Sequence, residues 1–212
     1  MRLGRLNDWG SVGRDYREKS IYVVGRSTVD EMVERFTSYV DLGETLDVGC
    51  GPGFFSEALA DRATRLVCVD ISEDMVALAR DRLSGFSNVT VEVAGCHTLP
   101  YDSGSFDTVS MSNLLHVVSD PQSALNEASR VLRPKGQLIV FDVTLQGVNV
   151  LQRMAAGIRY YRAFGPPPKD NNSGLTTGAV GRWIQSAGLT VVTSEMFGAP
   201  MRCLHMCANK PQ

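Results

Sequence analysis

One stretch, Thr45–Phe55, constrains the fold of this chain more than any other. It reads TLDVGCGPGFF: a short apolar run that carries one acid is followed by Gly49, Gly51 and Gly53, and a helical pattern begins at about Phe54. A strand, a tight turn and the start of a helix in this order are what α/β proteins use to hold a nucleotide-like ligand. Glycine suits such a turn because a side chain would block a ligand from the backbone or forbid a positive φ.

The spacing of the glycines argues against a dinucleotide. The dinucleotide fingerprint G-x-G-x-x-G would place its third glycine where this chain has Phe54, and the third glycine comes one residue earlier, at Gly53. Asp47 lies two residues before the first glycine, where a negative charge would gain nothing from a pyrophosphate. An acid there suits a ligand with an ammonium or sulfonium group. An NAD(P)-dependent oxidoreductase is therefore kept only as an alternative.

The segment LDVGCGPGF resembles the first motif of class I S-adenosylmethionine-dependent methyltransferases, in particular their small-molecule, ubiquinone/menaquinone-type branch. The resemblance extends over about 42–142. It implies a Rossmann-like, doubly wound and mostly parallel sheet of seven strands with a reversed terminal strand and helices on both faces. It also implies that S-adenosylmethionine is the cofactor, with Asp47, Gly49, Gly51 and Gly53 in its binding site.

Composition indicates a single domain over 1–212. The net charge of −2 offers no basic excess for nucleic acid, and no apolar run approaches the 18 residues of a membrane span, so we expect neither nucleic-acid binding nor membrane insertion. The amino terminus lacks the apolar core of a signal peptide, and five cysteines show no disulfide framework. These features predict a cytoplasmic protein without a metal site.

The second predicted strand, 65–70, ends in Asp70, which lies 19 residues after Gly51. This is close to the spacing at which a carboxylate binds ribose hydroxyls in α/β folds, and a carboxylate can accept from two vicinal hydroxyls. The alternative is a helix cap before Ser72. The resemblance further implies that Ile71 and Met75 border the adenine, although Met75 could equally be a core residue.

The segment after the third strand, 89–93, departs from the family pattern. In the resembled family an aspartate that accepts from the adenine amino group stands where this chain has Cys96, followed by His97. Thiol sulfur is a weak acceptor, so adenine recognition must depend on backbone groups, including the His97 N–H, or on apolar contact. This departure favours one alternative, a non-catalytic module that binds S-adenosylmethionine or S-adenosylhomocysteine.

Candidate site residues lie at or just after the ends of the strands predicted at 108–112 and 137–142. Ser112 or Asn113 could hold the cofactor's ammonium, since ligands bind beyond the carboxyl ends of strands in open α/β sheets. His116 is a candidate general base or substrate-orienting residue, or alternatively a partly buried residue at a helix start. Asp142 could face the substrate, or cap a helix or form a salt bridge. Between the strands, Lys135 stands where the family has the first glycine of a turn.

The chain segments before and after the region of resemblance are predicted to cover the site. Residues 1–43 form an amino-terminal lid, or a loosely held arm, followed by a helix that Thr28 caps and that runs to Val40. By the resemblance, Tyr16 covers the methionine end of the cofactor. Residues 144–180 form a substrate-side insertion with a helix at 148–162 and a mobile loop at 170–174. An apolar, aromatic substrate pocket or a dimer interface would use the same residues of this insertion, namely Met154, Tyr160, Tyr161 and Phe164.

Methyl transfer requires little catalytic machinery, because a sulfonium is already a good electrophile and the protein mainly aligns the reactants and excludes water. The chain shows no nucleophile–His–acid triad. We therefore predict an S-adenosylmethionine-dependent methyltransferase that acts on a small, fairly apolar acceptor, as a monomer or homodimer.

Overall fold

The protein is described by a computed structural model that covers residues 13, 15–166 and 174–212. The part of the predicted arm before residue 15, apart from residue 13, and residues 170–173 of the loop predicted at 170–174 lie outside these residues. The helices are α1 Tyr16–Val24, α2 Arg26–Thr37, α3 Ser56–Ala60, α4 Glu73–Arg82, α5 Pro121–Val131, α6 Val150–Phe164 and α7 Thr177–Ser186. The strands are β1 Gly43–Val48, β2 Ala63–Asp70, β3 Val89–Val93, β4 Phe106–Ser112, β5 Leu132–Thr144, β6 Thr190–Phe197 and β7 Arg202–Asn209.

The strands of the described chain form one seven-stranded sheet in the order β3-β2-β1-β4-β5-β7-β6. Strands β1 to β5 pair with one another in parallel, and β7 runs antiparallel to both β5 and β6. The order reverses beside β1, so the carboxyl ends of β1 and β4 flank the crevice where such sheets bind ligands. The predicted fold class, including the reversed terminal strand, is confirmed.

Two apolar layers cover the two faces of the sheet. Leu46 and Val48 of β1 pack in the layer that α5 and α7 close, whereas Leu66 and Cys68 of β2 pack in the layer beneath α2 and α3. Successive strand residues point to opposite faces, so this alternation follows from the strand geometry. Asp47 consequently points toward the α3 side of the sheet, away from Leu46 and Val48.

The predicted boundaries of the amino-terminal helix are wrong. Helix α2 begins after Gly25 and ends at Thr37, so Thr28 lies inside it and is fully buried rather than capping it. The Thr28 hydroxyl instead lies 3.4 Å from the carbonyl oxygen of Ala199, in the turn before β7. Val40, predicted on the inner face, lies beyond the helix and is 73% exposed. The long-range contact with the turn outweighs the local capping pattern.

Part of the predicted amino-terminal arm is helical, because Tyr16–Val24 forms α1 and packs against α6. Across the described residues no helix has the length and apolar character needed to cross a bilayer.

Candidate functional site

The glycine turn is fastened to the end of strand β2. The backbone N–H groups of Gly49 and Cys50 donate to the carbonyl oxygen of Val69, at 2.8 and 3.0 Å. Gly49 and Gly51 have φ angles of 73° and 54°, a region that side chains strongly disfavour. A Cβ atom on Gly49 would lie 2.6 Å from Leu114, whereas one on Gly51 would have no atom within 4 Å. Gly51 therefore presents bare backbone to open space, as a ligand site requires.

Asp70 is joined directly to this turn. One carboxylate oxygen accepts from the N–H of Gly51 at 2.9 Å, and the other accepts from the N–H of Ser72 at 2.9 Å. The helix cap is Ser72, whose hydroxyl accepts from Met75, so Asp70 is not itself the cap of α4. Burial raises the pKa of Asp70, and the two backbone donors oppose that rise. A carboxylate has about four lone-pair sites, so two stay available for hydroxyl donors.

Asp47 is almost completely buried, with 1% exposure. The Ser56 hydroxyl donates to its Oδ2 at 2.6 Å, while Oδ1 has no hydrogen-bond partner. Ser110, opposite Asp47 in the register of β1 and β4, also has a buried hydroxyl without a partner. Burial raises the pKa of Asp47 to about 6, against the lowering effect of neighbouring hydroxyl groups. Asp47 thus carries a buried, incompletely satisfied oxygen next to the glycine turn.

A second unsatisfied oxygen lies at the end of β4. Asn113 has a φ of 52°, its N–H donates to the carbonyl of Phe141 at 2.8 Å, and its Oδ1 is buried without a partner. Asparagine tolerates this left-handed conformation better than most residues. Buried polar atoms in proteins are nearly always hydrogen-bonded. The two orphan acceptors, on Asp47 and Asn113, therefore fit a bound group that donates hydrogen bonds, such as an ammonium.

Helix α1 brings Tyr16 to this region. Burial raises the pKa of Tyr16, and the side chains of Asn113 and Ser20 act in the opposite direction. The Tyr16 ring also lies 6.2 Å from the ring of Phe164 in α6, centroid to centroid. Helices α1 and α6 therefore meet near the end of β4, in the region that the sequence predicts to be covered by a lid.

The two candidate catalytic residues, His116 and Asp142, contact each other. The His116 Nδ1 lies 2.6 Å from Oδ1 of Asp142, and the His116 backbone N–H donates to Oδ2 at 3.2 Å. Asp142 is fully buried, while 15% of the His116 side chain is exposed. Asp142 therefore contacts the imidazole and the backbone of His116 and not solvent.

The four residues of the predicted adenine corner differ in accessibility. Ile71 is 67% exposed, and its Cδ1 lies 3.7 Å from the position of a Cβ on Gly95. Met75 is 4% exposed and packs in the core, so the structure supports the core alternative for it. Cys96 is half-buried, and burial raises the pKa of its thiol to about 11. His97 is exposed.

The insertion residues that the sequence assigned to one pocket lie on two faces of α6. Tyr160 and Phe164 are half-buried, pack against each other at 5.2 Å and face the core. Met154 and Tyr161 are each 62% exposed. The prediction of a single apolar pocket built from all four side chains is therefore wrong, because the helix turns Met154 and Tyr161 away from the site.

Sequence reasoning missed Ser56 and Ser110, which surround Asp47. A signal existed for Ser110, because the polar residues in Thr108-Val109-Ser110-Met111-Ser112 alternate with apolar ones in a strand that is buried on both faces. Buried polar positions of this kind mark candidate site residues, and Ser110 lies opposite Asp47 in the register of β1 and β4.

Comparisons with known proteins agree with this architecture. Residues 46–140 match the family described as a methyltransferase domain. The chain is 36% identical over 108 residues to the demethylmenaquinone methyltransferase of Clavibacter sepedonicus, covering 51% of this chain and 44% of that protein. An S-adenosylmethionine-dependent methyltransferase from Aquifex aeolicus matches with a TM-score of 0.70 at 22% identity, over 95% of this chain and 98% of the other. The cyclase SpnF matches with a TM-score of 0.70 at 20% identity, over 89% and 84%.

The fold, the glycine turn and the match over 46–140 to a methyltransferase domain agree with the resemblance to class I methyltransferases. The match itself covers 46–140, just under half of the chain. The chain spans less than half the length of the first curated relatives, at 28%, 44% and 46%. The solved structures establish the fold alone, and the likeness to a cyclase shows that this fold does not fix the reaction.

Proposed function

We propose that this protein is an S-adenosylmethionine-dependent methyltransferase that transfers the methyl group in line to a small, fairly apolar acceptor. The observation that carries the proposal is the pair of buried, unsatisfied oxygens on Asp47 and Asn113, at the ends of neighbouring strands. Leaving a buried acceptor unpaired costs about 1–3 kcal/mol, so two of them beside one glycine turn favour a cationic, hydrogen-bond-donating ligand. A dinucleotide offers no such group for Asp47.

The residues of the turn have distinct proposed roles toward the cofactor. Asp47 and Asn113 accept from its ammonium, Gly51 gives the ligand access to the backbone, and Asp70 accepts from ribose hydroxyls. Ile71 offers an exposed apolar surface for the adenine. When bound, S-adenosylmethionine supplies an activated methyl group on a sulfonium.

His116 is proposed as the base that removes a proton from the acceptor. A carboxylate only accepts hydrogen bonds, so Asp142 requires the His116 Nδ1 to carry the proton and leaves the Nε2 lone pair for the acceptor. The second contact, from the backbone N–H of His116, fixes the position of the whole residue. Asp142 is then a positioning residue that acts through His116, because its burial keeps it from the acceptor.

The acceptor is proposed to be of the quinone or phenol type. The demethylmenaquinone methyltransferase relative supports this class, and Tyr16, Tyr160 and Phe164 provide aromatic surface near the proposed methyl position. A phenol-type acceptor also offers an acidic proton within the reach of an imidazole base.

The first test is the effect of ligands on thermal stability, with S-adenosylmethionine, S-adenosylhomocysteine and NAD in parallel. A ligand at about 100 times its Kd adds about 2.7 kcal/mol to the free energy of unfolding. Stabilisation by either adenosyl ligand and not by NAD is expected. Stabilisation by NAD alone would favour the oxidoreductase, and no response to any of the three would remove the cofactor proposal.

The role of His116 is tested by His116→Ala and His116→Gln with quinone- and phenol-type acceptors. Loss of a general base lowers turnover by about 10²–10⁴-fold, while the Kd of S-adenosylmethionine should stay unchanged. Added imidazole should restore part of the activity of His116→Ala but not that of the bulkier His116→Gln. Unchanged turnover in both variants would exclude His116 as the base.

One alternative function is supported by Cys96. A protonated thiol replaces the expected carboxylate at the adenine corner, so a non-catalytic module that binds S-adenosylmethionine or S-adenosylhomocysteine is the second candidate. Stabilisation by the adenosyl ligands together with no turnover of any acceptor would favour it. Cys96→Asp should then tighten binding without creating activity.

A further inference from the structure

Helix α6 carries an apolar stripe that the rest of the described chain leaves exposed. The side chains of the stripe are between 53% and 79% exposed; they are Val150, Leu151, Met154, Ile158 and Tyr161. At about 100° of rotation per residue, these five positions share an arc of roughly 100° on one side of the helix. An open groove lined by Met154, Gly157, Ile158 and Tyr161 runs along it. Five large exposed apolar side chains on one helix mark an interaction surface.

The charged side chains of α6 itself are all arginines. The segment 143–169 contains Arg153, Arg159, Arg162 and Lys169 and neither aspartate nor glutamate, in a chain whose net charge is −2. The helical rotation places Arg153 on one side of the stripe and Arg159 and Arg162 on the other. The guanidinium group of Arg153 donates to the carbonyl oxygens of Val148 and Leu145, at 2.8 and 3.0 Å, so it is fixed near the start of α6.

This charge pattern selects among the occupants that could cover the stripe. In a symmetric dimer through α6, the same patch meets itself, which would bring six arginines together with no carboxylate from either helix. An anionic bilayer surface instead offers phosphates to Arg159 and Arg162 and an apolar interior to the stripe beside them. An exposed apolar face flanked by arginine is the pattern of helices that lie in the membrane interface. With only 15 residues, α6 is too short to span a bilayer.

The opposite face of α6 is part of the proposed site. Tyr160 and Phe164 point inward, and Phe164 lies against Tyr16, which borders Asn113. The stripe and the site are therefore two sides of one helix. A surface that binds the stripe would therefore lie about one helix diameter from the aromatic side chains of the proposed site.

We propose that α6 docks this protein on an anionic lipid bilayer, with Leu151, Met154, Ile158 and Tyr161 in the interface and Arg159 and Arg162 on lipid phosphates. This inference goes beyond the proposed function. It needs neither cofactor nor acceptor, so its test is separate from tests of methyl transfer.

The test is flotation of the whole protein with vesicles of phosphatidylcholine alone and of phosphatidylcholine mixed with phosphatidylglycerol. We expect binding to the mixed vesicles, weakened by salt. The double variant Met154→Gln/Ile158→Gln should abolish it, and Arg159→Gln/Arg162→Gln should weaken it about fivefold for each arginine. Val192→Gln is the matched control, because Val192 is 64% exposed on the distant strand β6, and its binding should equal that of the unaltered protein.

A second measurement does not depend on removing apolar side chains. Tyr161→Trp should show increased quenching by brominated lipid in the mixed vesicles, whereas Val192→Trp should not. The proposal is overturned if the protein does not float with anionic vesicles, or if the stripe variants bind as well as the control. A third result would also overturn it: the protein is a dimer, does not bind vesicles, and becomes a monomer in Met154→Gln/Ile158→Gln. A second copy of the chain would then cover the stripe.

Discussion

At the scale of single residues, Asp47 shows that the proposed site lowers the stability of the ligand-free protein. Its carboxylate is buried with one oxygen unsatisfied, and its pKa is raised from 3.8 to about 6. A shift of this size corresponds to a loss on the order of 3 kcal/mol of stability once the group is ionised. A bound cation would offset this loss, so the loss is present only in the ligand-free protein.

Asp47→Asn should therefore stabilise the protein and weaken cofactor binding. At about pH 8 we expect a gain on the order of 2–3 kcal/mol in the free energy of unfolding without ligand, because asparagine still accepts from Ser56 but carries no charge. The Kd of S-adenosylmethionine should rise about tenfold or more. Urea unfolding and calorimetric titration measure the two effects. The stability gain must vanish as pH falls below about 4, where Asp47 is protonated in both states; a gain independent of pH would contradict this explanation.

Lys135 is a second strained position. It occupies the place of a family glycine in the turn before the long part of β5, and its φ of 68° is left-handed. Its N–H donates to the carbonyl of Lys210 at 3.0 Å, which holds the turn in this conformation. Lys135→Gly should raise the free energy of unfolding by about 0.5–1 kcal/mol, because the left-handed cost exceeds the added entropy of the unfolded glycine. Lys135→Ala is the control and should give no gain in the same denaturation experiment.

At the scale of elements, α2 shows that an amphipathic pattern does not fix where a helix ends. The period places Phe36 and Val40 on one face, and only Phe36 is buried. The Phe36 ring lies 4.3 Å from that of Phe141 and 5.5 Å from that of Phe55, so it joins α2 to the sheet and to the glycine turn.

Truncation of Phe36 and of Val40 tests whether α2 ends at Thr37, as in the structure, or continues to Val40, as the apolar period predicts. Phe36→Ala should cost about 3–5 kcal/mol, because it leaves a cavity between α2 and the sheet. Val40→Ala should cost less than about 0.5 kcal/mol, as an exposed substitution does. Thermal or urea unfolding of both variants provides the measurement. Comparable losses at the two positions would mean that α2 continues through Val40.

At the scale of the whole molecule, two buried groups give stability opposite dependences on pH. His205 stacks on Phe141 at 4.3 Å and contacts Tyr39, and burial lowers its pKa below 6.5 although Glu195 opposes the shift. A histidine of this kind contributes full stability above pH 6.5 and loses it as pH falls through its folded pKa. The raised pKa of Asp47 has the reverse effect, and its stability contribution is lost as pH rises through about 6.

His205→Gln should therefore make the protein less sensitive to mild acid. Glutamine can replace the contact with Tyr39 but takes up no proton, so the free energy of unfolding at about pH 5, relative to that at about pH 8, should be higher for the variant than for the unaltered protein. The reference variant is Asp47→Asn, whose free energy of unfolding at about pH 5, relative to that at about pH 8, should be lower than in the unaltered protein, because the compensating carboxylate is gone. The same acid sensitivity in His205→Gln as in the unaltered protein would show that other groups dominate.

Several sequence predictions held because they depend on local patterns. The strand at 89–93 has the predicted bounds, and the turn at Gly49–Gly53 follows from residues only a few positions apart. The wrong predictions depend on distant contacts. Thr28 is turned from a cap into a buried helix residue by Ala199, which lies 171 residues away.

The sequence by itself determined the order of strands and helices, the glycine turn and the positions of Asp47 and Asp70, because hydrophobic period and glycine spacing act within a few residues. Only the tertiary structure decided that His116 contacts Asp142, 26 residues on, and that Tyr16 lies beside Asn113. It also decided that α6 turns Tyr160 toward the core and Tyr161 toward solvent. These pairings arise when the parallel strands align their carboxyl ends and the flanking helices pack over them, and no local pattern encodes that alignment.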